Sequence, residues 1–233
     1  MEWYEELDFD ENPFDTNPIK FSNKLVGIDD ISEELTYRIN AGSIVFVQGK
    51  KGNGKTALLW NIIKRFRGRG KLIYVDCAAL ESDLNIEGLL VRKHGLIGGL
   101  LGVKPRGMIL LLDNVSELSN RNMERVKYFF DEGYLNSVIF TGLDFKAVGF
   151  SKSLKDRIGK RILTLKELEP FQAVTAIRNR IGDTEIISDE LIEAAFIKSG
   201  KNMLAFLKNL EKVFSKIVES KKQKITKEDL RSI

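Results

Sequence analysis

The chain has 233 residues, of which 43% are hydrophobic and 30% are charged, and it carries a net charge of +4 with a pI of about 9.0. This composition predicts an ordinary globular protein with room for one α/β core and a small appended domain. No apolar run is long enough to span a membrane, and the acidic start is unlike a signal peptide. Cys77 is the only cysteine and His94 the only histidine, which excludes an internal disulfide framework, argues against zinc and predicts a cytoplasmic protein. The small positive charge permits nucleic-acid binding but does not establish it.

Apolar runs typical of buried parallel strands alternate with helical patterns through most of the chain. The predicted strands are Ser43–Val47, Leu72–Asp76, Met108–Leu112, Ser137–Thr141 and Arg161–Leu165. Helices are predicted after the glycine-rich segment that follows the first strand, over residues 84–93 and over residues 121–132. This alternation predicts a three-layer α/β domain with a parallel sheet.

The pattern changes at Glu169-Pro170, where proline at the first helical position favours a helix start. Helical patterns follow over 170–181, 189–199 and 202–219, and residues 226–229 resemble a capping box before a short last helix. We therefore predict an N-terminal arm over 1–24, an α/β domain over 25–166 and a small all-helical domain over 167–233. The aromatic residues of the arm, Trp3, Tyr4 and Phe14, are predicted to dock on the core rather than to stack on bases.

The glycine-rich segment after the first predicted strand matches the whole P-loop pattern G-x-x-x-x-G-K-[ST]. Its glycines allow backbone N–H groups to approach a phosphate chain at a helix N-terminus, where the helix dipole favours negative charge. Lys55 is expected to reach the β- and γ-phosphates, and Thr56 to bind Mg²⁺. The pattern predicts an ATP site formed by Gly49, Lys50, Lys51, Gly52, Asn53, Gly54, Lys55, Thr56 and Ala57.

A second nucleotide element is the apolar run Met108–Leu112, which ends in the carboxylate of Asp113 and so matches a Walker B strand. Because it follows a P-loop within alternating strands and helices, the match is far stronger than an isolated apolar run would be. Asp113 is expected to face Thr56 across neighbouring strand ends and to hold Mg²⁺ through water.

The order of these elements resembles the AAA+ ATPase superfamily over nearly the whole chain. Within it, the opening Tyr4…Asn12-Pro13-Phe14 and the stretches Ser199–Met203 and Ile225–Asp229 resemble the clade of archaeal origin-recognition initiators, ExeA-like ATPases and the TniB/TnsC-like transposition ATPases. The resemblance implies an AAA+ domain followed by a helical lid. It also implies ATPase activity with ATP and Mg²⁺ as cofactors.

The same resemblance assigns roles to individual residues of this sequence. Val26 and Gly27 correspond to the segment that contacts adenine, and Thr141 corresponds to the polar sensor 1 residue. Arg157 corresponds to an arginine finger that acts on the nucleotide of a neighbouring subunit, and Arg161 competes with it for that role.

Two positions depart from the superfamily pattern. The residue after the Walker B aspartate is usually glutamate, the base that polarises the attacking water, but here it is Asn114. An amide can orient water but cannot accept its proton, so we expect slow hydrolysis unless Glu117 substitutes. The usual sensor 2 arginine is replaced by Met203, with Lys201 as the nearest cation.

The segment over residues 92–106 combines glycines, leucines and flanking cations between the second and third strands. One interpretation is an insertion that contacts DNA, in which four residues, here called the loop cations, bind phosphates: Arg92, Lys93, Lys104 and Arg106. The other is a helix and tight turn whose leucines cover the sheet. The sequence does not decide between them.

Together these features predict an ATP-dependent assembly switch on DNA, a replication loader or transposition-type regulator that hydrolyses ATP slowly. Its expected partners are further copies of itself in the ATP state, duplex DNA and a replication or transposition protein. Because origin initiators add a winged-helix domain after the lid, the end at Ile233 favours a loader or regulator over an initiator. The alternatives are an ATP-dependent scaffold without a DNA role and a P-loop small-molecule kinase.

Overall fold

The computed structural model of the chain describes residues 2–66, 71–80, 83–93 and 105–233. They form two compact units. The sheet unit comprises Asp30–Gly49 and Leu59–Leu165, and the lid unit comprises Met1–Asp29, Lys50–Leu58 and Lys166–Ile233. The N-terminal segment and the P-loop thus belong to the same unit as the C-terminal helices. The domain boundaries expected after residues 24 and 166 stay predictions.

The sheet unit is built on a five-stranded, wholly parallel sheet in the order β2-β3-β4-β1-β5. This confirms the predicted α/β fold with a parallel sheet. One detail was wrong: β4 lies between β1, which leads into the P-loop, and β3, which ends in Asp113, so these two strands are not neighbours. The strands are β1 (Ile44–Gln48), β2 (Leu72–Asp76), β3 (Met108–Asp113), β4 (Leu135–Gly142) and β5 (Ile162–Thr164).

Parallel strands buried on both faces need apolar residues at every position, and β3 shows this most fully because all its residues are buried. The strand register then fixes which residues share the carboxyl edge of the sheet. Asp76 pairs with Asp113 across β2 and β3, and Thr141 near the end of β4 pairs with Val47 of β1. Polar residues of three strands therefore lie at the carboxyl edge of the sheet.

Among the described residues, five helices lie between the arm and the last strand: α1 (Asp29–Asn40), α2 (Lys55–Arg65), α3 (Ile86–Lys93), α4 (Asn120–Asp131) and α5 (Lys152–Ile158). The sequence analysis missed α1, although Ser32, Leu35 and Ile39 are buried at helical spacing along it. Short 3-10 helices follow two strands directly, at Cys77–Ala79 after β2 and at Val115–Glu117 after β3.

The lid unit packs three helices, α6 (Pro170–Ile181), α7 (Asp189–Lys198) and α8 (Met203–Glu219), and ends in a 3-10 helix over Asp229–Ser232. A capping box of Glu169 and Gln172 begins α6. No described helix has the length and apolar character needed to cross a membrane.

The arm is part of the lid core. Phe14 is fully buried, and its ring centre lies 4.7 Å from that of Phe214. The Trp3 ring stacks on Phe14 with 5.9 Å between the ring centres. The Arg180 guanidinium donates hydrogen bonds to the carbonyls of Pro13 and Asp15. The predicted docking of the arm is confirmed for Trp3 and Phe14.

Candidate nucleotide site

The P-loop has the backbone that a phosphate cradle requires. Gly52 and Gly54 have φ of +85° and +92°, a region that residues with a Cβ rarely adopt. A Cβ on Gly52 would also lie 2.3 Å from Oδ1 of Asn202. The loop then enters α2 at Lys55, and the N-terminus of a helix is an end where the helix dipole favours an anion.

Lys55 is folded back into the loop. It is 7% exposed, and its Nζ donates a hydrogen bond to the Lys50 carbonyl at 3.0 Å. Lys50 itself is exposed and forms an ion pair of 2.5 Å with Glu167 at the start of the lid. A buried ammonium beside a glycine-rich loop at a helix N-terminus is suited to bind adjacent phosphates of a triphosphate.

Asn202 joins the P-loop to the start of α8, and the sequence analysis did not identify this role. Its Nδ2 donates to the Lys51 carbonyl at 2.6 Å, while its Oδ1 accepts from the Ala205 N–H at 3.0 Å as the N-cap of the helix. The Leu204 N–H adds a hydrogen bond to the Gly52 carbonyl at 3.3 Å. Asn202 thus caps a lid helix and also holds the phosphate loop. In the sequence, the only sign of this role was an asparagine just before a helical pattern.

In the sheet unit, polar residues at the carboxyl edge form the strand-end cluster: Tyr74, Asp76, Asp113, Asn114 and Thr141. Asp113 is completely buried. Its Oδ1 accepts hydrogen bonds from the Thr141 hydroxyl and from the Asn114 N–H at 3.1 Å, and its Oδ2 accepts from the Tyr74 hydroxyl at 3.3 Å. These donors compensate the burial of a carboxylate and fix its orientation.

Two weakly acidic groups, the Tyr74 hydroxyl and the Cys77 thiol, stay protonated in and beside this cluster. Burial, followed by the charges of Asp113 and Asp76, raises the pKa of Tyr74 well above its usual range, so its hydroxyl stays a donor. Burial likewise raises the pKa of Cys77 to about 12. This thiol is a neutral core residue rather than a nucleophile.

Asn114 adopts a left-handed conformation with φ of 56°, which asparagine tolerates better than most residues. Its backbone N–H donates to Asp113 and also to the Thr141 hydroxyl, the latter at 3.2 Å. Its side-chain Nδ2 donates to Asp76 Oδ1 at 3.0 Å, and the Ala78 N–H reaches the same oxygen at 3.1 Å. The sequence analysis did not identify Asp76 as a site residue. It is nevertheless a carboxylate at the end of a buried strand, which is the same signal that identified Asp113.

The donor set fits Mg²⁺ held mainly by phosphates and water. Within the described residues, no group of three or more histidine, cysteine, aspartate or glutamate side chains could hold a metal ion. Mg²⁺ commonly uses one or two protein ligands together with substrate phosphates and water. Thr56, on the first turn of α2, and Asp113 remain its predicted protein ligands, and a buried Asp113 that accepts several hydrogen bonds suits contact through metal-bound water.

Neither a family model nor a curated protein sequence matches the chain. Solved structures do match it. Cdc6p from Pyrobaculum aerophilum matches with a TM-score of 0.77 at 14% identity, covering 96% of this chain and 70% of that one. The Aeropyrum pernix Orc1 protein, solved in complex with DNA, matches with a TM-score of 0.71 at 14% identity, covering 89% of this chain and 64% of that one. The RuvB Holliday junction branch migration motor of Thermotoga maritima matches with a TM-score of 0.68 at 17% identity, covering 89% of this chain and 68% of that one.

The chain has the AAA+ fold. At identities this low the likeness establishes the fold alone, and this is the fold that the sequence resemblance implied. The roles assigned to single residues from that resemblance stay predictions, and the structure shows where each of them lies.

Val26 and Gly27, the predicted adenine contacts, lie beside the start of α6. Gly27 has φ of +71°, and a Cβ there would approach Leu168 to 2.9 Å and Gln172 to 3.1 Å. The close approach explains the glycine.

Arg157, the predicted finger, lies in the last turn of α5 and forms an ion pair of 2.8 Å with Asp131. Half of its side chain is exposed, so the pair is a weak one that another anion can replace. Arg161 is used differently: its guanidinium donates to the Arg157 carbonyl and to the Ile44 carbonyl, the latter at 3.1 Å. Because Arg161 is held by backbone carbonyls and Arg157 only by an exposed ion pair, Arg157 is the better candidate for a finger that must leave its partner.

Met203, at the predicted sensor 2 position, is the first residue of α8 and packs against the lid core. Lys201, two residues earlier, is exposed and has φ of 54°. Its positive charge contributes to lowering the pKa of Glu167, after the larger effect of Lys50. A cation therefore does lie at this end of α8.

The loop cations are only partly described. Arg92 and Lys93 are exposed in the last turn of α3, while Lys104 lies outside the described residues. Arg106, before β3, stacks over the Tyr134 ring at 4.9 Å and donates to the Glu132 carbonyl at 3.1 Å. Residues 94–104 lie outside the described part of the chain, and the DNA-contacting insertion and the cover for the sheet both stay predictions.

Proposed function

We propose that this chain binds ATP with Mg²⁺ and works as an ATP-dependent assembly switch on DNA. The observation that carries the nucleotide part is the P-loop: two glycines with positive φ and a buried Lys55 at the start of a helix. When bound, Mg²⁺ would neutralise phosphate charge and orient the γ-phosphate. Lys55 would bind the phosphate oxygens, Thr56 and Asp113 would hold the metal, and Thr141 would fix Asp113.

Slow hydrolysis is part of the proposal. Asn114 stands where a basic carboxylate is usual and cannot take a proton from water. A nucleotide that persists on the protein favours a switch, whose state depends on what is bound, over a fast motor. Arg157, released from Asp131, would reach the nucleotide of a neighbouring copy and promote its hydrolysis.

The DNA part rests on the neighbours and on exposed cations. The Aeropyrum pernix Orc1 protein was solved in complex with DNA, and a Drosophila ORC structure, also bound to DNA, matches with a TM-score of 0.66 at 16% identity. In this chain, exposed cations such as Arg92 and Lys93 suit phosphate contacts without reading sequence. We propose duplex DNA as the partner, bound with little sequence preference and more tightly with ATP, while a replication or transposition protein is the proposed protein partner.

The nucleotide site is tested by Lys55→Ala. Loss of a charged hydrogen bond to the phosphates should weaken ATP binding by about 1.5–3 kcal/mol, measured by isothermal titration with Mg²⁺ present. Lys208→Ala, an exposed lysine on α8, is the matched control and should leave ATP affinity unchanged. Equal affinities for Lys55→Ala and the natural protein would place the nucleotide elsewhere.

Size-exclusion chromatography with light scattering, with and without ATP and duplex DNA, tests the switch. A larger species that needs ATP and carries DNA supports it. ATP-dependent assembly that never takes up DNA would favour a scaffold, and a monomer under all conditions would favour a P-loop kinase.

A further inference from the structure

The longest helix of the lid unit, α8, carries three lysines along one face. Lys208, Lys212 and Lys216 follow each other at intervals of four residues, and all three are exposed. Because residues four apart are neighbours on a helix surface, the three side chains form one line, here called the lysine stripe. We infer that the lysine stripe binds the phosphate backbone of duplex DNA. The inference rests on the DNA part of the proposed function and assigns that part to residues other than the loop cations.

The lysine stripe takes no part in packing the lid core. The buried residues of α8 recur on the opposite side of the helix and are Phe206, Leu207, Leu210, Val213, Phe214 and Ile217. The acidic N-terminal arm docks on that buried side, where the rings of Trp3 and Phe14 contact Phe214. The arm therefore leaves the stripe uncovered, in agreement with the exposure of its three lysines.

The positive charges of the stripe are not neutralised within the unit. Among the described residues, none forms an ion pair or a side-chain hydrogen bond with any of the three lysines. Other lysines of the same unit do have such partners, as Lys224 shows by its ion pair of 2.8 Å with Glu185. The stripe thus differs from a mixed-charge surface, in which each cation lies beside an acid.

The two acids of α8 leave the stripe uncompensated. Glu211 accepts a hydrogen bond from Asn12 Nδ2 at 2.6 Å, and Glu219, in the last turn, forms no ion pair within the described part of the chain. Like charges four residues apart repel each other and destabilise a helix. Folding is therefore no reason for these lysines, and an anionic partner outside the chain would relieve their repulsion.

The length of the stripe suits a DNA strand. From Lys208 to Lys216 the helix rises about 12 Å, at about 1.5 Å per residue. Over that axial length one strand of duplex DNA presents about three to four phosphates, spaced about 3.4 Å apart along the axis. Lysine contacts phosphate as a point charge on a flexible stem, without the planar geometry that reads bases. The stripe therefore fits binding with little sequence preference.

The test is the triple variant Lys208→Gln, Lys212→Gln and Lys216→Gln, in which glutamine removes the charge and keeps a similar helix propensity. DNA binding is measured by fluorescence anisotropy on a labelled duplex across a salt series, with ATP and Mg²⁺ present. The affinity at low salt should fall at least about tenfold, and the slope of log affinity against log salt should fall by up to about 2.7, because each phosphate contact contributes about 0.9. Two duplexes of unrelated sequence should be affected equally.

A matched control removes the same net charge from cations that already lie beside acids. It replaces by glutamine three residues whose ion pairs measure 2.6, 2.6 and 2.8 Å: Lys20, Arg38 and Lys224. The slope should fall by less than about one in this control, because these charges are already neutralised.

Two further measurements distinguish DNA contact from a structural role. The triple variant of the stripe should melt at or above the temperature of the natural protein, because it loses the repulsion between its lysines. Its ATP affinity by isothermal titration should be unchanged. A lower melting temperature with unchanged DNA binding would identify the stripe as structural and overturn the inference.

The remaining outcomes separate this inference from the proposed function. DNA binding by the natural protein, with the same affinity and slope in the triple variant, would overturn the inference and leave the proposed function intact. This is also the result expected if the stripe contacts an acidic protein. An equal loss in the control would overturn it too, because net charge alone would then explain the effect. A natural protein that binds no duplex at low salt with ATP would contradict the DNA part of the proposed function, and this inference with it.

Discussion

Replacement of Asn202 by alanine should destabilise the lid unit through two separate losses. The side chain caps α8 through the Ala205 N–H and also donates to the Lys51 carbonyl of the P-loop. Loss of an asparagine N-cap costs about 0.5–2 kcal/mol. Loss of a neutral hydrogen bond costs about 0.5–1.5 kcal/mol net. The free energy of unfolding should therefore fall by about 1–3.5 kcal/mol.

Asn202→Ser separates the two effects. Serine retains a cap acceptor for the helix, but it lacks the amide that reaches the Lys51 carbonyl. We expect Asn202→Ser to lose only the P-loop contribution and to lie between Asn202→Ala and the natural protein.

The chain offers a convenient assay because it has two tryptophans, Trp3 and Trp60. Trp3 packs in the lid unit against Phe14 and Phe214, whereas Trp60 belongs to the sheet unit. In a Trp60→Phe background, urea unfolding followed by fluorescence reports the lid unit alone. A midpoint for Asn202→Ala equal to that of the background, with unchanged slope, would refute the reasoning. Equal midpoints for the alanine and serine variants would refute the separate cap contribution.

Two further predictions concern DNA and acid stability. Neutralising all four loop cations should weaken DNA binding and lower the slope of log affinity against log salt by up to about four. The measurement is fluorescence anisotropy across a salt series in the presence of ATP. No change in this slope would place the DNA-binding surface elsewhere. Hydrogen bonds from Lys222, and then from Thr226, lower the pKa of Asp229 to about 2 from an ordinary value of 3.8. The stabilisation is therefore complete above about pH 4 and is lost as the pH falls towards 2. Asp229→Asn should remove this part of the acid sensitivity in thermal melts between pH 4 and pH 2, and identical pH dependence would contradict the assignment.

The sequence predicted the elements whose signals are local. Strands buried on both faces are nearly continuous apolar runs, so all five were found, with bounds that differ by a few residues at most. The P-loop was found because its chemistry requires glycine and lysine at fixed spacing. The helix α1 was missed because its buried face, Ser32, Leu35 and Ile39, is short and sits among polar residues.

Strand order was not available from local patterns. The sequence analysis expected β1 and β3 to be neighbours, but β4 lies between them. Strand order depends on which faces and crossovers pack, and these are contacts between residues far apart in the chain.

Side-chain periodicity and fixed spacing within single segments were therefore enough to predict the α/β class and to single out the phosphate loop and Asp113. Which distant residues meet depends on how the segments pack. The partnership of Asp76 with Asn114 depends on strand register, and that of Asn202 with Lys51 depends on the packing of a lid helix against the loop. Hydrogen bonds between segments separated along the chain leave no periodic trace in either segment, so their physical origin lies in the folded arrangement alone.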